Sequence, residues 1–180
     1  MTEMTERLLD AAEAAMRARG YHAVSFRELA DDLGIKSASV HYYYRQKEDL
    51  GLAVVARYRA RFFERLSTAA APARGFDDHL RAFVGVYRAA LVGSDRICLC
   101  GMLGAECSGL PPTLAAAVAD FFKANVDWLV AIMDSKEPLR ERHERATAIV
   151  ATLQGAMMMA TSLKSHRHFD AAAGSLFARA

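Results

Sequence analysis

Residues 25–50 read SFRELADDLGIKSASVHYYYRQKEDL. Ser25 and Glu28 stand in the S-x-x-E spacing of a capping box. In that motif the hydroxyl accepts from the amide three residues on, and the carboxylate reaches back to the serine N–H. Val24 before the cap and Leu29 after it have the spacing of a hydrophobic staple. Phe26, Leu29, Ala30 and Leu33 recur at helical spacing and form one apolar face. Gly34 follows at once and suits the left-handed residue that ends a helix, with Ile35 as the apolar plug of the turn. Ser37 to Tyr44 then read as a short second helix. Ala38 is small enough for close helix packing. Val40 and Tyr44, four apart, face inward, leaving Ser37, Ser39, His41, Tyr42 and Tyr43 to look outward or sideways. A short helix with hydroxyls, a histidine and three consecutive tyrosines, held by a second helix, has the shape of a module that reads DNA in the major groove.

The same residues resemble the N-terminal DNA-binding domain of the TetR (tetracycline-repressor-like) regulators. The run Lys36-Ser37-Ala38-Ser39-Val40-His41-Tyr42-Tyr43-Tyr44, followed by Arg45-Gln46-Lys47-Glu48-Asp49-Leu50, is similar to that family's recognition helix and the start of its fourth helix. Upstream, Leu8-Leu9-Asp10-Ala11-Ala12 and Gly20-Tyr21 resemble its first helix and the glycine-aromatic pair that closes it. The resemblance covers residues 5 to 55. Four positions depart from it. Lys36 stands where a capping Ser or Thr is usual, and Ser37 where a basic residue is usual. His41 replaces a tyrosine, and Gln46 replaces the N-cap serine of the next helix. The resemblance implies an all-α fold: a three-helix head with a helix-turn-helix, then a helical bundle for effector binding and dimerisation. The expected DNA-contacting set is Ser25, Arg27, Lys36, Ser37, Ser39, Val40, His41, Tyr42, Tyr43 and Lys47. Within it Val40 leans to the core, as does Tyr44 beside the set, and Tyr42 and Tyr43 lean to phosphates through their hydroxyls. Ser39 and His41 are best placed for base edges, and Lys47 for a phosphate clamp.

Charge does not carry this reading. The chain of 180 residues has a formal net charge of +2, and its first fifty residues hold more carboxylates than cations. The local support is Arg27, Lys36, Arg45 and Lys47 around the motif. Arg57, Arg59, Arg61 and Arg65 further on read better as a solvated helix face with ordinary charge pairs. At 53% hydrophobic the chain can bury one large core or two modest ones. No stretch approaches the roughly 20 apolar residues of a membrane span. The N-terminus lacks a signal-peptide layout. Three cysteines, Cys98, Cys100 and Cys107, without a secretory signal argue for reduced thiols in a cytoplasmic protein.

Almost everything reads as helix. The expected elements are a first helix from about Glu6 to Arg19, the two motif helices, and a fourth from Lys47 to about residue 70. A fifth runs from Asp77 to Leu91, a sixth from Ile97 to Cys107 and a seventh from Pro111-Pro112 to Met133. An eighth runs from Pro138 to Ser165 and a ninth from Asp170 to Ala178. The AAAPARG stretch, residues 69–75, is the expected joint. Residues 1–50 would then be the DNA-binding domain, joined by helix 47–70 to an effector-binding and dimerisation domain, 71–180. Halfway along the eighth helix the charged run Arg140–Arg145 gives way to AIVATLQGAMMMATSL, residues 148–163. A helix apolar over most of its circumference needs cover on more than one side. A homodimer interface through Ala151, Gly155, Met158, Met159 and Leu163 would supply it. A two-fold dimer suits a palindromic double-stranded operator with half-sites about 34–36 Å apart.

The stretch ICLCGMLGAECSGLPP, residues 97–112, resembles the sixth helix of one TetR subgroup, where it borders the effector pocket. Three readings stand: small side chains filling a helix contact, the lining of a ligand pocket, or a thiol sensor of electrophiles or oxidants at Cys98. On a helix Cys98 and Cys100 lie about 200° apart, and Cys100 and Cys107 are separated by about 10 Å of rise, beyond the reach of a disulfide. The candidate effector-pocket residues are Phe83, Tyr87, Cys98, Met102, Glu106, Phe122, Trp128 and Met157. Glu106, among apolar neighbours, would face solvent or await a polar or cationic partner. No metal site, cofactor or catalytic constellation is expected. The reading that emerges is a DNA-binding regulator, a repressor released by a small-molecule effector, and not an enzyme. The alternatives are the thiol sensor on the same scaffold and a helical ligand-binding protein that does not bind DNA.

Overall fold

The computed structural model describes residues 3–177; Met1, Thr2 and residues 178–180 lie outside them, including the expected end of the ninth helix at Ala178. Among the described residues the structure is helical, in the order α1 Glu3–Arg19, α2 Phe26–Leu33, α3 Ser37–Tyr43, α4 Lys47–Ala70, α5 Gly75–Val92, α6 Leu99–Ala105, α7 Pro112–Ile132, α8 Leu139–Ser162 and α9 Arg167–Gly174. A short 3-10 turn, Cys107–Gly109, separates α6 from α7. Several ends differ from expectation by two or three residues: α1 begins at Glu3, α5 at Gly75, α6 at Leu99, which leaves Cys98 outside it, and α9 at Arg167. The sixth helix stops at Ala105, and Glu106 begins the 3-10 turn. The eighth stops at Ser162 because Lys164 takes a left-handed backbone, φ 50°, which an α-helix cannot continue through.

The chain forms two compact units. Among the described residues the first comprises 3–60 with Leu99–Ala119, and the second Arg61–Cys98 with 120–177. The units divide within α4, not at residues 69–75, and the first is discontinuous in sequence. In the first unit α1 packs on α2 and α6, and α2 on α3. Its core gathers Leu8, Leu9, Met16, Leu29, Val40, Leu50 and Val54 with Leu103 and Leu114 from the later segment. Each such side chain contributes roughly 1.5–3 kcal/mol on burial. The head therefore draws apolar surface from α6 and α7 as well as from its own three helices.

In the second unit α8 packs on α9 and α5. Its core is aromatic. Phe62 meets Tyr87 and Phe121 edge-on at 5.3 and 5.2 Å, and Phe83 stacks on Trp128 at 5.5 Å. The apolar half of α8 splits by face. Ala146, Ile149, Leu153, Ala156, Met157 and Ala160 are buried in the unit. Met158, Met159 and Leu163 are about half exposed, at 52%, 53% and 54%. No helix among the described residues is long and apolar enough to cross a membrane.

Candidate nucleic-acid interface

The motif begins with the capping box. The Glu28 amide donates to Ser25 Oγ at 3.2 Å, and the Ser25 amide donates to the Glu28 carboxylate at 3.0 Å. The Ser25 hydroxyl, helped by the Ser25 amide, holds the Glu28 carboxyl below its ordinary value. α2 closes on Gly34 at φ 66°, and the Ile35 amide donates to Ala30 O at 3.0 Å. This left-handed closure costs little only at glycine, and it turns the chain into α3. Val40 is fully buried and anchors α3 to the head. The expectation that Val40 contacts DNA is thereby corrected: its side chain has no surface to offer. Ala38 is exposed instead of packed, because two residues along a helix turn it about 200° away from the buried Val40.

Around that anchor the polar residues are open. Lys36, Ser37, His41 and Tyr42 are exposed, Tyr42 at 84%; Ser39 and Tyr43 are partly so. The His41 ring leans edge-on against Phe26, centroids 4.8 Å apart, and Tyr42 against Tyr43 at 5.3 Å. Arg27 and Arg45 are exposed beside them. Lys36 supplies no side-chain cap to α3. At the next helix, Asp49 accepts from the Gln46 amide at 3.1 Å, so the carboxylate half of a cap compensates for the missing serine.

Two expected contacts are already engaged. Ser25 is exposed, but its hydroxyl is committed to Glu28. Lys47 Nζ donates to Val24 O at 3.0 Å and to His22 O at 3.4 Å, and lies 4.3 Å from the centre of the Tyr21 ring. Burial pushes its ammonium below the usual lysine value, with Glu106 and Glu28 opposing. The assignment of Lys47 as a free phosphate clamp is corrected: it ties the turn between α1 and α2 to the start of α4.

The acidic surplus of the head is neutralised on another side. The Arg57 guanidinium, 9% exposed, lies 2.8 Å from Glu6, 2.8 Å from Asp10 and 3.4 Å from Glu13. This network draws three carboxylates of α1 onto α4. The net charge of the first fifty residues thus misstates what α3 presents. The sequence offered no sign of it, since the partners lie more than forty residues apart.

Glu106 belongs to the first unit. Its carboxylate accepts from the Tyr21 amide at 2.7 Å and occupies the space where a side chain on Gly20 would lie. Met102 is also in the first unit, whereas Phe83, Tyr87, Cys98, Phe122, Trp128 and Met157 are in the second. Phe83, Tyr87, Cys98 and Met157 are buried, and Phe122 and Trp128 partly so. Two residues missed in the sequence join them. Tyr87 Oη donates to Asn125 Oδ1 at 3.1 Å, Asn125 Nδ2 donates to Phe121 O at 2.7 Å, and Gln154 Nε2 donates to Tyr87 Oη at 3.3 Å. The signal was a lone Asn in the apolar run of α7. Cys98 is 1% exposed and Cys100 is buried, whereas Cys107 is exposed. Burial withholds the Cys98 thiol from a soluble electrophile, so the sensor reading loses its named residue.

Residues 8–54 match the family model described as bacterial regulatory proteins, tetR family. No curated protein matches the chain. A TetR transcriptional regulator from Legionella pneumophila has the same fold, with a TM-score of 0.91 at 23% identity over 98% of this chain and 96% of that one. A TetR-family regulator from Agrobacterium tumefaciens gives 0.89 at 23% identity over 97% and 96%. A transcriptional regulator from Saccharomonospora viridis, solved in complex with choline, gives 0.82 at 19% identity over 99% and 97%. Residues 8–54 thus match the N-terminal domain of the tetR family of bacterial regulatory proteins, and the described residues have the fold of these solved regulators.

Proposed function

We propose that this regulator binds a palindromic operator as a homodimer and represses until a small-molecule effector releases it. The observation that carries the DNA half is the outward face of α3. Ser37, His41 and Tyr42 are open and Ser39 partly so, Lys36, Arg27 and Arg45 flank them, and Val40 pins the helix beneath. Hydroxyls and an imidazole on a short, anchored helix suit base edges, and the exposed cations suit phosphates.

The dimer half is supported by α8. Ala151, Gly155, Met158, Met159 and Leu163 recur on one face, and a Cβ at Gly155 would meet nothing within 4 Å. A second copy laid along that stripe removes it from water and brings two recognition helices into one assembly. For the effector, the aromatic core with Tyr87, Asn125 and Gln154 is the favoured place. Its polar groups are an uncharged phenol and two amides, which suit a neutral or weakly polar molecule. Such a ligand acts by binding the non-operator conformation more tightly than the operator-bound one.

The test is fluorescence anisotropy on DNA from upstream of the chain's own coding region, over a salt series. The expected affinity falls linearly on log–log axes and exceeds that for unrelated DNA. Ser39→Ala and His41→Ala each lower the sequence preference by about 1–3 kcal/mol per half-site, while Lys36→Ala weakens all sequences alike. Equal affinity for every sequence at every salt concentration overturns the reading.

A further inference from the structure

The segment that follows α6 grips the head where the chain turns into α2. Glu106 accepts from the Tyr21 amide at 2.7 Å, across 85 positions of sequence. Thr113, in the first turn of α7, donates its hydroxyl to Glu48 in the first turn of α4. Gly109 passes so close to the same turn that an added Cβ would lie 3.2 Å from His22 Nε2. A Cβ on Gly51 would lie 3.1 Å from both Leu114 Cδ2 and Tyr21 Cε2. Tyr21 is thus held by its amide at Glu106, while its ring lies beside Gly51 and under Lys47 Nζ, 4.3 Å from the ring centre. All of these residues belong to the first unit.

Tyr21 in turn fixes the entry to α2. The Val24 amide donates to Tyr21 O at 3.2 Å, and Lys47 Nζ donates to Val24 O and His22 O. Val24 is 1% exposed, and the Ser25 cap follows at once. α3 packs on α2. It has seven residues, a length of about 10 Å, and Val40 is its one buried residue. A helix so short on a single anchor takes its direction from α2, and α2 takes its own from the turn that Glu106 and Lys47 hold. Water could replace the Glu106 carboxylate as an acceptor for the Tyr21 amide, but water is not tied to α6 and would not fix the turn.

We propose that Glu106 is a positioning residue for operator recognition, acting through the Tyr21–Val24 turn on the direction in which α2 and α3 meet the groove. This rests on the DNA-binding reading above and adds to it a residue outside the helix-turn-helix. Hydrogen bonds to base edges need their donors and acceptors placed to within about 0.5 Å. The exposed side chains of Arg27, Lys36 and Arg45 can follow a phosphate through larger displacements. Loss of the Glu106 contact therefore costs sequence discrimination and spares general affinity for DNA. A role in folding alone would lower the folded fraction and scale down both affinities together.

The experiment uses the full chain with Glu106→Ala and Glu106→Gln, at a temperature where both are folded by circular dichroism. Fluorescence anisotropy is read on the upstream duplex and on an unrelated duplex of equal length. Glu106→Ala is expected to bind the upstream duplex about tenfold more weakly and the unrelated one within about twofold of the parent. Glu106→Gln keeps an oxygen that accepts from the Tyr21 amide, so it is expected to recover most of the loss. In the free chain, Glu106→Ala is expected to move the amide NMR signals of residues 21–44. If Glu106→Ala does not fold, Thr113→Val removes the second grip and should show the same split, at about threefold. Equal losses on both duplexes, an unchanged affinity for the upstream one, or signals that move only beside Glu106 overturn the proposal. A parent that does not prefer the upstream duplex overturns the DNA-binding reading instead, and the amide signals then judge the positioning by themselves.

Discussion

The contact between Glu106 and the end of α1 can be dissected with two substitutions, Gly20→Ala and Glu106→Ala. Gly20 has φ 82°, and an added Cβ would lie 2.2 Å from one Glu106 carboxylate oxygen and 2.6 Å from the carboxyl carbon. The left-handed backbone alone costs an alanine about 1–2 kcal/mol. The methyl also expels Glu106 from the Tyr21 amide, which it accepts from at 2.7 Å in a partly buried setting. A charge-assisted hydrogen bond of that kind contributes about 1.5–3 kcal/mol. Gly20→Ala should therefore destabilise by about 2.5–5 kcal/mol and Glu106→Ala by about 1.5–3 kcal/mol. The double variant has no carboxylate left to expel. It should lie near Gly20→Ala alone, below the sum of the two by about the value of the hydrogen bond. Urea unfolding of the full chain gives the free energies, and hydrogen exchange at the Tyr21 amide localises the change. Additive costs, or a Tyr21 amide no faster in Glu106→Ala, would refute the reasoning.

Other perturbations test other links. Arg57→Met removes the guanidinium that Glu6, Asp10 and Glu13 share; thermal melts should show a loss of about 1–3 kcal/mol, because the arginine is buried while two of its partners are partly in water. Glu28 is held below its ordinary value by Ser25, so its ionised form stabilises the fold at pH above the usual carboxylate value, and this contribution disappears as pH falls through the depressed folded value. The parent should thus melt higher than Glu28→Gln near neutrality, with the gap closing in acid; a constant gap removes the charged cap as its cause. Met158→Asp with Met159→Asp places charge on the exposed stripe of α8. Sedimentation should show dimers converted to monomers with helicity by circular dichroism retained.

The limits of the sequence are clearest at particular residues. Local signals carried far: S-x-x-E, the apolar positions of α2 and Gly34 act over one or two turns, so their hydrogen bonds could be written from the sequence and are present. The same holds for the helices, whose period is local, and for Met158 and Met159, where an apolar surplus signalled more surface than one chain covers. Lys47 and Val40 were misassigned because a basic residue at a helix start and an apolar one in a recognition helix look alike whether they face DNA or the core. Only the fold, by bringing Val24 O and His22 O to Lys47 Nζ, decides.

The sequence by itself determined the helix-turn-helix, the all-α architecture and the open polar face of α3, because those follow from side-chain period and capping within a few residues. Tertiary structure decided that Glu106 closes the end of α1, that Arg57 neutralises the acidic face of the head, and that Asn125 and Gln154 meet at Tyr87. Each of these joins groups dozens of residues apart, and electrostatics and hydrogen bonding depend on distance in space, which the order of residues along the chain does not record.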